Sequence, residues 1–116
     1  MSNLIESISA RVEVTDIKNA LPLYQRITGV TDAPVLDFPG LRPAVVGPIL
    51  LIEGDTETLE KFHREATLHV NDLTAAVDAF VAEGGAVIDG PVDAAGGRRT
   101  IVRDRDGNVF ECFQAG

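Results

Sequence analysis

Cysteine occurs once in the 116 residues, at Cys112, so no disulfide can form within the chain. The fold must hold by burying apolar surface, and a chain of this length can bury roughly two-thirds of what it exposes when unfolded. Tryptophan is absent, and tyrosine and methionine occur once each, which leaves the core to aliphatic side chains and five phenylalanines. Long apolar runs are also missing. The longest, from Ala44 to Ile52, falls far short of the ~18 residues needed to cross a bilayer. Basic residues are few, ten against eighteen acidic, for a net charge of −8. A field of that sign repels phosphate backbones and anionic lipids, which argues against nucleic acid and membrane surfaces as partners. No charged, apolar and small-residue succession of a secretory signal opens the chain, and with a lone cysteine the expected location is cytoplasmic.

What the chain does contain is one pattern written twice. In the first copy Ile8, Ala10, Val12 and Val14 alternate with Ser7, Ser9, Arg11 and Glu13, the mark of a half-buried strand. Thr15-Asp16 then supplies a helix cap. Ile17, Ala20, Leu21, Tyr24 and Ile27 repeat at helical spacing until Gly29. Pro22 predicts a distorted first turn or a helix starting near it. Prolines and glycines then divide the chain into expected strands at Val35 to Phe38, Arg42 to Val46 and Ile49 to Glu53. Gly54 to Arg64 reads as a polar connector with at most a helical turn.

An offset of 56 positions restores the opening pattern, placing Val12 on Leu68, Asp16 on Asp72, Ile17 on Leu73, Tyr24 on Phe80 and Gly29 on Gly85. An internal duplication accounts for the agreement. The second copy continues through a strand at Ala86 to Asp89, a loop near Gly90 to Gly97, a strand at about Arg99 to Arg103, a turn at Asp104 to Asn108, and a last strand. The expected architecture is α+β: one domain over residues 1–116, made of two tandem βαβββ modules at about 5–54 and 64–114. A pseudo-twofold would relate them, with curved mixed sheets enclosing a cleft and helices on the outer face. If Val12, Val14, Leu68 and Val70 face the helices, then Ser9, Arg11, Glu13, Glu65, Thr67, His69, Glu111 and Phe113 face the other way. That set is too polar for a core and suits a ligand site.

The duplicated module, its Val-x-Asp junctions and the Asp104-Arg105-Asp106-Gly107-Asn108 turn before a strand bearing Glu111 together resemble the vicinal oxygen chelate superfamily. That group includes glyoxalase I, extradiol dioxygenases and bleomycin-binding resistance proteins. The resemblance covers nearly the whole chain, with Arg105 where the family's turn usually has proline. It implies the duplicated fold, a homodimer, and either small-molecule binding or metal-assisted chemistry. The metal positions it implies fall on Ser9, Leu51, Glu65 and Glu111. Of these only Glu65 and Glu111 are ordinary ligands, and two carboxylates without imidazole make a poor site for zinc or iron, though a hydrated divalent metal remains compatible.

His69 has three readings: a general base, a hydrogen-bond partner for ligand, or half of a structural Glu13 and His69 pair. Arg11 balances Glu65 and Glu111 or captures a ligand anion. His63 belongs to the connector, Arg98 and Arg99 to an exposed strand start near a possible lid, and Cys112 to the core. The leading expectation is a protein that binds a small organic molecule, cationic to suit the net charge, with no cofactor. The alternative is a lyase, isomerase or dioxygenase-type enzyme using Glu65 and Glu111 with a divalent metal, or acid-base chemistry by Glu13 and His69.

Overall fold

Alternating polar and apolar side chains extend the backbone into β1 (Ile5–Glu13) in the computed structural model, which describes residues 3–116. The Asp16 carboxylate then accepts from the N–H groups of Lys18 and Asn19 and starts α1 (Ile17–Thr28). Gly29, left-handed at φ 76°, ends it. Contrary to expectation the helix does not begin at Pro22 but runs through it. The Ala20 N–H already bonds the Asp16 carbonyl at 3.0 Å, so the first turn closes ahead of the proline. The missing Pro22 donor falls on an exposed stretch.

A hairpin of β2 (Leu41–Val46) and β3 (Ile49–Gly54) follows. The strand expected at Val35 to Phe38 is reduced to a bridge between Phe38 and Leu41 and a bond from the Leu36 N–H to the Pro43 carbonyl at 2.9 Å. Pro34 and Pro39 flank this stretch and offer no donors to a ladder. The polar connector carries a short helix, α2 (Thr56–Lys61), capped by the Asp55 side chain. Then come β4 (Ala66–Val70), α3 (Leu73–Ala82), β5 (Ala86–Ala94), β6 (Gly97–Arg103) and β7 (Val109–Ala115). The loop expected from Gly90 is still strand. Two register shifts, between Val87 and Asp89 and between Asp89 and Val92, let β5 absorb Pro91 at the end of the strand order.

The chain forms two units, one of Ser9–His63 and one of residues up to Ile8 with Arg64–Gly116. In the first the strand order is β2-β3-β1, with β1 parallel to β3 and β2 antiparallel to it. In the second β4 lies between the start of β1 and β7, and β6 and β5 follow. There β4 and β7 are parallel, and the remaining pairs β7/β6 and β6/β5 antiparallel. The fold is thus α+β with mixed sheets. Asn71 ties the start of β1 into the second unit: its N–H bonds the Leu4 carbonyl at 3.0 Å, and its side chain the Asn3 carbonyl at 2.9 Å.

Each unit has its own core. In the first, Ile17, Leu21 and Tyr24 of α1 pack on Val12, Ala44 and Leu51. Ile27, expected on that face, is 63% exposed, because the helical repeat carries it off the buried stripe. In the second, Leu73, Ala76 and Phe80 of α3 pack on Leu68, Val102 and Cys112. Full burial of such an aliphatic side chain contributes about 1.5–3 kcal/mol. Both helices are fastened the same way: the Ile17 N–H donates to Glu53 Oε1 at 3.0 Å, and the Leu73 N–H to Gln114 Oε1 at 2.7 Å. Glu53 also pairs with Arg42.

The turn before β7 closes on Asp104. One carboxylate oxygen accepts from the N–H groups of Asp106 and Asn108, each at 2.9 Å, and the other from the Asn108 side chain at 2.9 Å. The Asn108 side chain first, and then its N–H, holds the Asp104 carboxyl below the usual carboxylate range. Gly107 takes φ 92°, which a side chain would resist.

One polar atom in the second core stands out. Thr100 is fully buried opposite Cys112, and among the described residues its hydroxyl finds no hydrogen-bond partner. An unsatisfied buried hydroxyl costs stability that a methyl group of the same shape would not. Thr100→Val is expected to stabilise the protein by about 1 kcal/mol, a rise of about 4 °C in melting temperature. Thermal unfolding followed by circular dichroism checks this, and a lower midpoint would contradict it.

Candidate functional site

Register decides which side chains share a face. In the second unit Thr67 lies beside Glu111 and His69 beside Phe113 across the parallel β4 and β7 pair. Across β7 and β6, Glu111 lies beside Ile101 and Phe113 beside Arg99, and on β5 Asp89 lies beside Ile101. With period two, these residues occupy the face opposite the one covered by α3. Four sequence candidates are therefore together: Thr67, His69, Glu111 and Phe113.

The buried Thr67 hydroxyl donates to Glu111 Oε1 at 3.0 Å, fixing the carboxylate on a face whose next position is the buried Ile101. The rings of His69 and Phe113 meet edge to face, with centroids 6.0 Å apart. Glu65 is exposed just ahead of β4, its N–H bonded to the Val109 carbonyl at 2.7 Å. Arg64 was counted in the connector, yet it is half-buried and interacts electrostatically with Glu111, Arg99 and Asp89. Burial lowers its pKa, and Arg99 lowers it further, while Glu111 and Asp89 oppose the shift. Arg99 is itself partly buried, with Nη1 3.8 Å from Asp89 Oδ2. Sequence reading missed Arg64, Asp89 and Ile101 as members of this face. The signal was available for Ile101, which alternates with Arg99 and Arg103 on a strand opposed to Glu111.

The other candidates belong to the first unit. Ser9 is buried on β1, and Arg11 donates from Nη2 to the Phe62 carbonyl at 3.2 Å. Glu13 is exposed at the end of β1 and lines a cavity of about 350 Å³ with Thr56, Leu59, Glu60 and His63. The face carrying Arg11 and Glu13 is less polar than expected. Leu50 lies beside Arg11 and Ile52 beside Glu13, with Val45 beyond Leu50.

That register also corrects one transferred metal position. Leu51 lies beside Val12 and is fully buried against α1, so it cannot be the counterpart of Glu111. Arg11 pairs with Leu50 as Thr67 pairs with Glu111, which makes Leu50 the counterpart. The helix fastenings agree, since Glu53 and Gln114 are separated by the same step as Leu50 and Glu111. The offset between these last strands is therefore 61, one more than the 60 that sets Leu51 on Glu111.

A divalent metal implied by the resemblance can be tested against this donor set. Leu50 offers only hydrocarbon, Ser9 a hydroxyl, and neither Glu65 nor Glu111 has an imidazole at the corresponding partner positions. The four positions do not fit a closed or facial metal centre. Among the described residues no group of three or more His, Cys, Asp or Glu side chains is placed to hold an ion.

Comparison with known proteins gives one family and one fold. The model of the family described as "Glyoxalase/Bleomycin resistance protein/Dioxygenase superfamily" matches residues 10–112. An uncharacterized protein from Methanosarcina mazei is 30% identical, with a TM-score of 0.84 over 97% of this chain and 94% of its own. Methylmalonyl-CoA epimerase from Mycobacterium tuberculosis is 19% identical, with a TM-score of 0.70 over 100% of this chain and 92% of its own. A Streptomyces coelicolor methylmalonyl-CoA epimerase variant in complex with 2-nitronate-propionyl-CoA is 17% identical, with a TM-score of 0.66 over 98% of each chain. At these identities the two epimerases share the fold alone. No curated protein sequence matches the chain significantly.

Cys112 lies on the helix side of β7, away from this face, and is fully buried. Burial first, and the neighbouring Glu111 carboxylate second, push its thiol up to about 11. Reaction requires thiolate, so the folded protein is expected to resist iodoacetamide at pH 8 and to be alkylated quickly in denaturant. Mass spectrometry of timed aliquots reads both rates, and rapid native labelling would refute the assignment.

Proposed function

We propose, from the premise that the chain belongs to the Glyoxalase/Bleomycin resistance protein/Dioxygenase superfamily, that it binds a small organic molecule on the face of Thr67, His69, Glu111 and Phe113, without a four-ligand metal centre. The observation that carries this is the half-buried Glu111 carboxylate, held by Thr67 beside apolar Ile101. Keeping a carboxylate partly out of water costs stability, and a preset acceptor beside accessible ring surface is what orients a bound organic molecule. Phe113 and His69 add ring surface along the same strands.

Titration of a small aromatic library into protein treated with chelator tests the reading. Saturable binding is expected, weakened about tenfold (~1.4 kcal/mol) by Thr67→Val or Glu111→Gln. Absence of saturable binding, or binding that returns only when a divalent metal is restored, would overturn it.

One observation favours a second reading, acid-base chemistry on the bound molecule. His69 and Glu111 stand on the same face of adjacent parallel strands, so a proton donor and an acceptor are both at hand. Incorporation of solvent deuterium into a bound compound, abolished in Glu111→Gln and His69→Gln, would support catalysis; unchanged incorporation in both variants would sink it. The family resemblance further implies a homodimer. Light scattering of the purified protein should give twice the 12.4 kDa chain mass, and a monomer would refute that part.

A further inference from the structure

The net charge of −8 suggests a cationic ligand, but local charge opposes that choice. On the face of the second unit Arg64, Arg99 and Arg103 stand against Glu65, Asp89 and Glu111, so the local formal balance is zero within an acidic chain. The carboxylates nearest the centre are partly engaged. Glu111 accepts from Thr67, and Asp89 is paired with Arg99. That pair is loose: 3.8 Å exceeds hydrogen-bonding range, and the Asp89 side chain is 60% exposed. A guanidinium has five N–H donors in a planar fork, and one distant carboxylate does not saturate them. Arg99 sits beside the half-buried Phe113 by register, which brings a cation and an aromatic side chain to the same face.

We infer that the ligand is a small organic carboxylate whose anionic group is held by the Arg99 fork, with Arg64 supplying a second positive charge and the Phe113 ring receiving the apolar body. This rests on the proposal that the face binds a small molecule. A carboxylate matches the guanidinium fork with two parallel hydrogen bonds, which an amide or an ammonium group cannot reproduce. It also offsets the repulsion between Arg64 and Arg99, each of which an added cation would oppose.

A matched series of benzoate, benzamide and benzylamine, titrated by NMR into the full chain, separates the outcomes. Benzoate is expected to bind at least tenfold more tightly than the other two. Arg99→Gln and Arg64→Gln should each weaken benzoate at least fivefold while leaving benzamide unchanged. Arg99→Lys, which keeps charge but loses the fork, should fall between wild type and Arg99→Gln. Raised salt should weaken benzoate selectively. Equal binding of all three, or benzylamine preference, overturns the carboxylate assignment while the binding face stands. Loss of benzoate affinity in neither arginine variant overturns it too. No saturable binding by any of the three, or by the wider aromatic library, overturns the binding face itself.

Discussion

The parallel pairing of each unit's first strand with its last, β1 with β3 and β4 with β7, is the constraint on which the candidate site depends. It sets Leu68 and Cys112 toward α3 and, by alternation, Thr67 and Glu111 away from it. A polar side chain at the end of the last strand then holds the first N–H of the helix, Glu53 for α1 and Gln114 for α3. Strand register and helix position are thus locked by one bond in each unit. A slip of one residue would turn Cys112 outward and bury Glu111 in aliphatic surroundings, a change costly enough to exclude. The geometry of the face is inherited from the packing on its reverse.

Much of the fold was legible because its signals are local. Asp16 and Asp72 cap the helices named for them, Gly29 ends α1, and Asp104 to Asn108 form the turn that their side chains predict. The misreadings arise where distant residues decide. Pro22 looks disruptive until the first turn is seen to close before it, and Pro91 looks like a loop until β6 supplies a partner for the strand around it. The Val35 to Phe38 segment has strand composition but too few donors to make a ladder.

The site was half legible for a related reason. Alternation along β4 and β7 put Thr67, His69, Glu111 and Phe113 on one face, and the structure places them so. Pairing between strands is not written in alternation, so Ile101 and Asp89 went unrecognised and Arg64 was assigned to a linker. The same blindness placed Leu51 where Leu50 belongs, since two residues lie between paired ends in the turn of β2 and β3 and five in the turn before β7, and a repeat aligned without gaps cannot see the difference. Net charge is silent in its own way: a sum over the chain carries no information on a face where opposite charges balance.

The sharing of β1 limits how the chain can be divided. Its first residues, up to Ile8, belong with β4, while Ala10 to Glu13 pair with β3 in the other unit. The boundary between units therefore runs through the middle of a strand as well as through the polar stretch at His63 and Arg64. A fragment cut at that stretch would leave the edge of β4 bare, and bare edges recruit strands from other molecules.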